Sequence, residues 1–125
     1  MKNLIVLTLL LFFFSGHTQK SKLTAEHYQN ARKSFRQKMP DNSVAVLFSA
    51  PIRNRANDVD YIYHQDPNFF YLTGWHQPHS VLMIYKNAQT DSGGVYHEKI
   101  YVPERNDYME MWNGKRYSLS DVKKL

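Results

Sequence analysis

The chain has 125 residues, enough for one domain, carries a formal net charge of +5 and contains no cysteine. The missing cysteines exclude a disulfide framework and a cysteine-based zinc site. The basic residues are spread among acidic ones, so we expect a solvated surface and do not expect nucleic acid as a partner.

The N-terminus has the order of segments that is typical of a secretory signal peptide. Lys2 precedes an uncharged apolar run from Leu4 to Phe14, and small or polar residues follow. The run is too short to cross a bilayer, which takes roughly 20 residues. We predict a signal peptide over residues 1–19, cut between residues 16 and 20, and an exported bacterial protein, periplasmic or secreted, without a membrane anchor. A buried core helix is the alternative interpretation.

A helix is predicted from Thr24 to Met39, because apolar residues recur there at steps of three and four. The basic residues of this segment, Arg32 among them, are expected mostly on its other faces. Pro40 ends the helix, since proline and the polar residues after it stop helices and start turns.

Four strands are predicted after this helix. They are VAVLF (44–48), NFFYLTGW (68–75), SVLMIY (80–85) and HEKIYVPE (97–104). The third run is the most uniformly apolar and is expected at the centre of the sheet, while KNAQTDSGG (86–94) is expected to be a loop or hairpin connection. Such apolar runs indicate strands covered on both faces, and hence an α/β domain with a mixed β-sheet flanked by helices.

Two short helical elements are predicted near the C-terminus. The stretch NDYMEMWNGKR (106–116) indicates a short helix or turn that is broken at Gly114. Ser120, with Asp121 and Val122 after it, is typical of an N-cap followed by an acidic first turn. One isolated helical turn is not stable, so we expect that the domain continues beyond Leu125 and that the sequence is incomplete at its C-terminus.

The sequence lacks the patterns that mark common catalytic and metal sites. It contains no HExxH zinc pattern, no GxSxG nucleophile elbow and no glycine-rich phosphate loop. Its six histidines show no spacing typical of metal ligands. We therefore predict no catalytic residues and no metal ligands within the chain.

Three local features allow both a structural and a functional interpretation. The polar loop IRNRANDVDY (52–61), which contains Asp58, is either a solvated loop with weak surface ion pairs or a loop that presents charge to a cleft. Gly74 closes an apolar run, where a residue with positive φ is often needed. Trp112, beside a turn, is either a core residue or part of a ligand-binding wall.

The segment RANDVDYIYHQDPNFFYLTGWHQPHSVLMI (55–84) resembles the N-terminal domain of aminopeptidase P, the Xaa-Pro aminopeptidase of the creatinase and prolidase superfamily. The family pattern is roughly R-x-x-D-x-x-Y-x-[YF]-R-Q-x-x-x-F-x-Y-L-T-G-F-x-x-P-x-[AS]-V-L. It is matched here by Arg55, Asp58, Tyr61, Tyr63, Gln65, Phe69, Tyr71, Leu72, Thr73, Gly74, Pro78, Val81 and Leu82. His64 and Trp75 replace the usual arginine and phenylalanine, which we expect the fold to accept. The resemblance covers about residues 26–116.

The resemblance implies a fold and an activity. The family has a mixed sheet with helices on both faces, and it removes the N-terminal residue of a peptide when proline follows. Two manganese ions, held by a C-terminal "pita-bread" domain, supply the hydrolytic chemistry. None of their ligands has a counterpart here. We therefore expect an incomplete aminopeptidase P N-terminal domain over residues 20–125, inactive alone. A stand-alone, non-catalytic binding or assembly module is the alternative.

The resemblance also implies two residues of the substrate cleft and an assembly. Asp58 is expected to contribute to the cleft, of its own or a neighbouring subunit, near the amino end of the peptide. Trp112 is expected to line the cleft wall. For Arg55 and Tyr61, an ion pair and a core position are the preferred interpretations. The resemblance implies that the domain supports a homo-oligomer and that the substrate of the enzyme is a proline-containing peptide.

Overall fold

The computed structural model describes residues 23–122. The predicted signal peptide over residues 1–19 lies outside the described residues. Within the described range, no helix is both long enough and apolar enough to cross a membrane.

The first helix, α1, spans Ala25–Lys38 and agrees with the prediction. Thr24 caps it, and its side-chain oxygen accepts a hydrogen bond from the His27 amide (3.4 Å). The apolar residues Tyr28 and Met39 are buried, as the periodicity predicts.

The aromatic run 68–75 is mostly a helix, so the predicted strand is wrong. Helix α2 spans Pro67–Thr73, with proline in its first turn. Asp66 caps it, because its Oδ1 accepts a hydrogen bond from the Phe69 amide (2.8 Å). Gly74 ends the helix with a left-handed φ of 66°, as expected for this glycine. Capping aspartate, early proline and terminal glycine are helix signals, and here they outweigh the β propensity of the aromatic residues.

Five strands complete the sheet structure: β1 (Val44–Phe48), β2 (Asn54–Ala56), β3 (Val59–Asp60), β4 (Val81–Asp91) and β5 (Gly94–Tyr101). Strands β1, β4 and β5 form one sheet with β4 at its centre, as predicted, and β2 and β3 form a separate hairpin. Every strand pair between residues 23 and 122 is antiparallel, so the parallel pairing that a mixed sheet requires is not among them. Helices do pack against the sheet, which confirms this part of the predicted architecture.

Strand β4 is longer than predicted. The predicted hairpin connection is present, but residues 86–91 continue the strand rather than forming a loop, and the turn is confined to Ser92 and Gly93. The pairing with β5 is irregular between Ile84 and Gln89. In this stretch the Lys86 ammonium donates to the Gln37 carbonyl oxygen (2.9 Å). That carbonyl lies at the C-terminal end of α1, where a positive charge is favourable.

The core lies between one face of the sheet and the two helices. Its buried members are Met39, Phe69, Leu72, Trp75, Leu82 and Ile84. On β1, by contrast, Val44, Val46 and Phe48 are 48%, 44% and 67% exposed. Cover on both faces of this strand, which its apolar sequence predicts, is therefore not found within the described residues.

The predicted position of Arg32 is wrong, because the residue is buried rather than on an outer face of α1. Its Nε donates to Glu98 Oε1 on β5 (2.8 Å), and its Nη1 donates to the Leu72 carbonyl oxygen on α2 (2.9 Å). A buried cation is tolerated here because the carboxylate and the carbonyl replace its water. Arg32 thus ties both helices to the sheet.

Two short helices follow, α3 (Asp107–Asn113) and α4 (Leu119–Val122). Helix α3 confirms the predicted short helix and ends at Gly114. Ser118 immediately precedes α4, and its amide and hydroxyl both donate to Asp121 Oδ2 (2.9 Å each). This is half of a capping box. The cap therefore lies two residues earlier than the predicted Ser120.

Candidate functional site

The charged loop 52–61 folds as a hairpin that exposes Asp58. Asn57 and Asp58 form the turn between β2 and β3, and Asn57 adopts a left-handed φ of 52°. Every residue of both strands is exposed. A backbone hydrogen bond from the Tyr61 amide to the Arg53 carbonyl (2.9 Å) closes the base of the hairpin. The Asp58 carboxylate is thereby presented to solvent at the tip.

The structural interpretations preferred for the neighbours of Asp58 do not hold. Tyr61 is 58% exposed rather than part of the core. Within residues 23–122, neither Arg53 nor Arg55 takes part in an ion pair. The guanidinium groups of Arg53 and Arg55 are therefore available to a ligand or another polypeptide.

The side chain of Asn54 forms hydrogen bonds to several groups within the hairpin. The Asn54 amide nitrogen Nδ2 donates to the carbonyl oxygens of Asn57 (2.9 Å) and Val59 (3.2 Å) and to Asp60 Oδ1 (3.3 Å). These acceptors lie on both sides of Asp58 in sequence. The turn that carries Asp58 is therefore fixed by Asn54 as well as by the backbone.

An open cavity of about 860 Å³ lies at the base of this hairpin. Its wall includes Phe48, Arg53, Tyr61 and Tyr63. The Tyr63 hydroxyl donates to the Ala50 carbonyl oxygen (3.2 Å), and partial burial raises the pKa of Tyr63 above its ordinary value. The wall therefore combines aromatic surface, a guanidinium and a phenol that stays neutral at physiological pH.

Gln65, which is 4% exposed, also lines this cavity. Its Oε1 accepts hydrogen bonds from the amides of Ala50 (2.7 Å) and Asp66 (2.9 Å). Its Nε2 donates to the carbonyl oxygens of Trp75 and Gln77 (3.1 Å each). One side chain thus satisfies four backbone groups that β1, α2 and the following loop leave unpaired, as a buried amide must.

The two departures from the family pattern fit this arrangement. His64 Nδ1 lies 3.1 Å from the Gln65 carbonyl oxygen, at the cavity wall. Trp75 is 2% exposed, and its Nε1 donates to Ser80 Oγ (2.9 Å). Both substitutions are compatible with the fold, as expected.

Trp112 lies on an exposed face of α3 and is not part of the core that the described residues form. Its side chain is 75% exposed, and those of Tyr108 and Met111 are 64% and 73% exposed. Residues separated by three and four positions share a helix face. Among the described residues, the three side chains therefore form one exposed apolar surface, which we call the α3 face.

Polar contacts, rather than core packing, hold α3 in shape. None of its residues is buried. Arg105 donates from Nε and Nη2 to the two carboxylate oxygens of Glu110 (2.8 and 2.6 Å), and these bonds keep the pKa of Glu110 below its ordinary value. Asn106 Oδ1 caps the helix by accepting from the Met109 amide (3.1 Å). The orientation of Trp112 thus depends on contacts local to this segment.

Asp58 and Trp112 lie on separate elements, the β2–β3 hairpin and α3. No hydrogen bond, ion pair or ring contact within residues 23–122 joins them. The same range holds no group of three or more His, Cys, Asp or Glu that could bind a metal ion. The described residues therefore do not fit a paired metal centre.

The sequence did not predict the structural roles of two residues in this region. Gln65 entered only as a position of the family pattern, and Asn54 did not enter at all. The signal for Asn54 was its place three residues before a turn asparagine, since such side chains commonly bond the backbone of turns. The partners of Gln65 are up to 15 residues away and left no local signal.

Comparison with known proteins decides the family. The family model described as "Aminopeptidase P, N-terminal domain" matches residues 28–125. The chain belongs to the aminopeptidase P N-terminal domain family. This confirms the resemblance found in the sequence, and the family is one of peptidases.

Relatives and solved structures agree with the family model. The intermediate cleaving peptidase 55 of Schizosaccharomyces pombe is 38% identical over 104 residues, which are 83% of this chain and 21% of that protein. The Xaa-Pro aminopeptidase of Haemophilus influenzae is 33% identical over 96 residues, 77% of this chain and 21% of that protein. The Escherichia coli aminopeptidase P with the inhibitor Pro-Leu is 30% identical, with a TM-score of 0.66 over 77% of this chain and 21% of that one. The zinc-substituted E. coli enzyme in complex with product has a TM-score of 0.71 at 28% identity, over 84% of this chain and 23% of that one. This chain thus spans about a fifth of the length of the relatives it matches.

Proposed function

We propose that this chain is the N-terminal, non-catalytic domain of an exported, manganese-dependent Xaa-Pro aminopeptidase. The enzyme removes the N-terminal residue of a peptide when proline follows it. The observation that carries the proposal is the family match over residues 28–125. Relatives from H. influenzae and E. coli are named Xaa-Pro aminopeptidase, and the E. coli protein binds the inhibitor Pro-Leu.

The domain serves binding and assembly rather than hydrolysis. Its described residues hold no cluster that could bind a metal ion. The relatives are about five times as long as the matched segment, since that segment is 21% of their length. Hydrolysis is assigned to the polypeptide that the relatives have in addition, and the 125-residue chain alone is expected to be inactive.

Asp58 is suited to contact the amino end of a peptide. Its carboxylate lies at an exposed hairpin tip, and no ion pair within residues 23–122 involves it. A carboxylate and an ammonium 4 Å apart attract each other by only about 1 kcal/mol in bulk water and by about 4 kcal/mol near a protein surface. Asp58 therefore becomes effective when another part of the enzyme, or a neighbouring subunit, excludes water from the tip.

Trp112 is suited to form an apolar wall of the cleft. The α3 face offers an indole, a phenol ring and a thioether without covering residues. Aromatic side chains bury large apolar areas of a ligand and contribute much of the binding energy at such walls. The partner here is a peptide with proline in its second position.

Exposed apolar residues support the proposed homo-oligomer. Ile62 is 98% exposed and Phe48 is 67% exposed, both at the cavity below the hairpin. Contiguous apolar exposure of this kind marks surfaces that contact another polypeptide. Export is proposed from the signal-like segment that begins with Lys2 and the apolar run Leu4–Phe14.

The experiment that tests the proposal compares two purified proteins. One is the complete product of the gene that encodes this chain, and the other is the 125-residue chain. Each is incubated with a peptide that has proline in its second position and with a matched peptide that has alanine there. We expect the complete product to release the first residue of the proline peptide only, in a manganese-dependent reaction. Turnover by the 125-residue chain, or none by the complete product, would contradict the proposal.

A further inference from the structure

Among the described residues 23–122, the β2–β3 hairpin receives no support from the core. All its strand residues are exposed, and its register is irregular, pairing Asn54 with Asp60 and Ala56 with Val59. An isolated two-stranded ribbon is only marginally stable in water. Within the described residues, contacts other than core packing therefore keep the turn of Asn57 and Asp58 in place.

The Asn54 side chain supplies this support. All three groups that face its Nδ2 are acceptors: the carbonyl oxygens of Asn57 and Val59 and the carboxylate of Asp60. An amide NH2 group has two hydrogens and does not accept hydrogen bonds, so it faces three acceptors by sharing one hydrogen between two of them, and the orientation of the amide follows from its partners. Two of the acceptors directly flank Asp58 in the sequence, and the third lies two residues beyond it. The amide therefore fixes the backbone on both sides of that carboxylate.

We propose that Asn54 is a positioning residue that holds the Asp58 carboxylate where a peptide ammonium can reach it. This inference rests on the proposed function of Asp58 in the substrate cleft. Asn54 itself need not touch substrate, because its amide is directed into the hairpin. Its contribution is to substrate binding, since a carboxylate on a mobile turn must be ordered before it can pair with a ligand.

The most specific test of the Asn54 donor group is the variant Asn54→Asp. It keeps the size and shape of the side chain but replaces the NH2 donor by an oxygen, which then faces two carbonyls and a carboxylate. Asn54→Ala removes the same bonds without repulsion and serves as a second variant. Asn30→Asp is the matched control, because it makes the same chemical change at an exposed position of α1. Since Asn54 lies outside the core, we expect all three variants to fold.

The experiment measures kcat and KM of the complete gene product for a peptide with proline in its second position. We expect Asp58→Ala to raise KM. Asn54→Asp is expected to raise KM about 3- to 10-fold and to leave kcat within about twofold, the scale of one or two net hydrogen bonds. Asn30→Asp is expected to leave both constants unchanged.

The double variant separates positioning from a general structural role. On an Asp58→Ala background, Asn54→Asp is expected to raise KM no further, because the group that it positions is already gone. An additional increase in KM on that background would overturn the inference. So would an unchanged KM for Asn54→Asp alone while Asp58→Ala raises KM, an outcome that leaves the proposed function intact. An unchanged KM for Asp58→Ala would instead overturn the cleft role of Asp58, and the positioning role with it.

Discussion

Replacing Gln65 by glutamate changes a single donor group at the centre of the hydrogen-bond network below the hairpin. The acceptor Oε1, which pairs with the amides of Ala50 and Asp66, has an equivalent in the new side chain. The donor Nε2, which pairs with the carbonyls of Trp75 and Gln77, is replaced by an oxygen. At pH 7 the variant therefore loses two hydrogen bonds and places a carboxylate against two carbonyl oxygens at a position that is 4% exposed.

The expected loss follows from these contacts. Each buried group left without a partner costs about 1–3 kcal/mol, so we expect Gln65→Glu to lower the free energy of unfolding by about 3–5 kcal/mol at pH 7. Burial favours the protonated acid, which regains one O–H donor, and so raises the pKa of the new carboxyl above the roughly 4.3 of an unfolded chain. The loss is therefore smallest below about pH 4 and grows as the pH rises towards the folded-state pKa.

Urea unfolding of the 125-residue chain, followed by far-ultraviolet circular dichroism at pH 4 and pH 7, measures this effect. Gln29→Glu is the matched control at an exposed position of α1, where we expect a change within about 0.5 kcal/mol at either pH. A loss for Gln65→Glu below about 1 kcal/mol at pH 7, or a loss that does not depend on pH, would refute the reasoning.

Two further predictions concern the fold. Gly74→Ala is expected to cost about 2–4 kcal/mol, since a Cβ at its φ of 66° would lie 2.5 Å from Cε2 of the buried Tyr28 ring. Gly114→Ala also has a positive φ but open space around the Cβ, so we expect about 1–2 kcal/mol, and equal losses in urea unfolding would contradict the clash. Lys99→Met is expected to raise the pKa of Asp91, which its hydrogen bond with Lys99 lowers. The stabilisation from this pair is present above the ordinary aspartate pKa and is lost on acidification. A carboxyl pKa that stays unchanged in an NMR titration would show that Lys99 does not cause the shift.

The sequence predicted elements whose signals are local, and it erred where two local signals competed. Helix α1 follows from its periodicity, and the central position of β4 follows from its uniformly apolar start. The aromatic run in α2 predicts a strand, because aromatic residues favour sheets. Asp66 and Pro67 before the run and Gly74 near its end mark a helix, and these boundary signals outweigh the aromatic composition.

Long-range contacts explain two further errors in the predicted fold. Arg32 was placed on an outer face, since a charged residue is rarely buried without a partner. Its partner Glu98 is 66 residues away, and helical periodicity carries no information at that distance. The exposed face of β1 escaped prediction for a related reason, because an apolar run shows what can be buried and not what covers it.

The candidate site was predictable only in part. Asp58 and Trp112 were assigned through the family resemblance, and their exposure in the structure is compatible with contact to a ligand or another polypeptide. Their roles remain predictions. Asn54 and Gln65 emerged only from the structure, because what distinguishes them is the set of groups that surrounds each amide.

The measurement that tests the central claim most directly is the intact mass of the natural product in the cells that express this gene. An antibody against the folded domain captures the protein, and mass spectrometry gives its length. We predict a polypeptide several times longer than 125 residues. We also predict that its signal peptide has been removed by a cut between residues 16 and 20. A product of 125 residues or fewer would contradict the account, and the alternative of a stand-alone binding or assembly module would then be favoured.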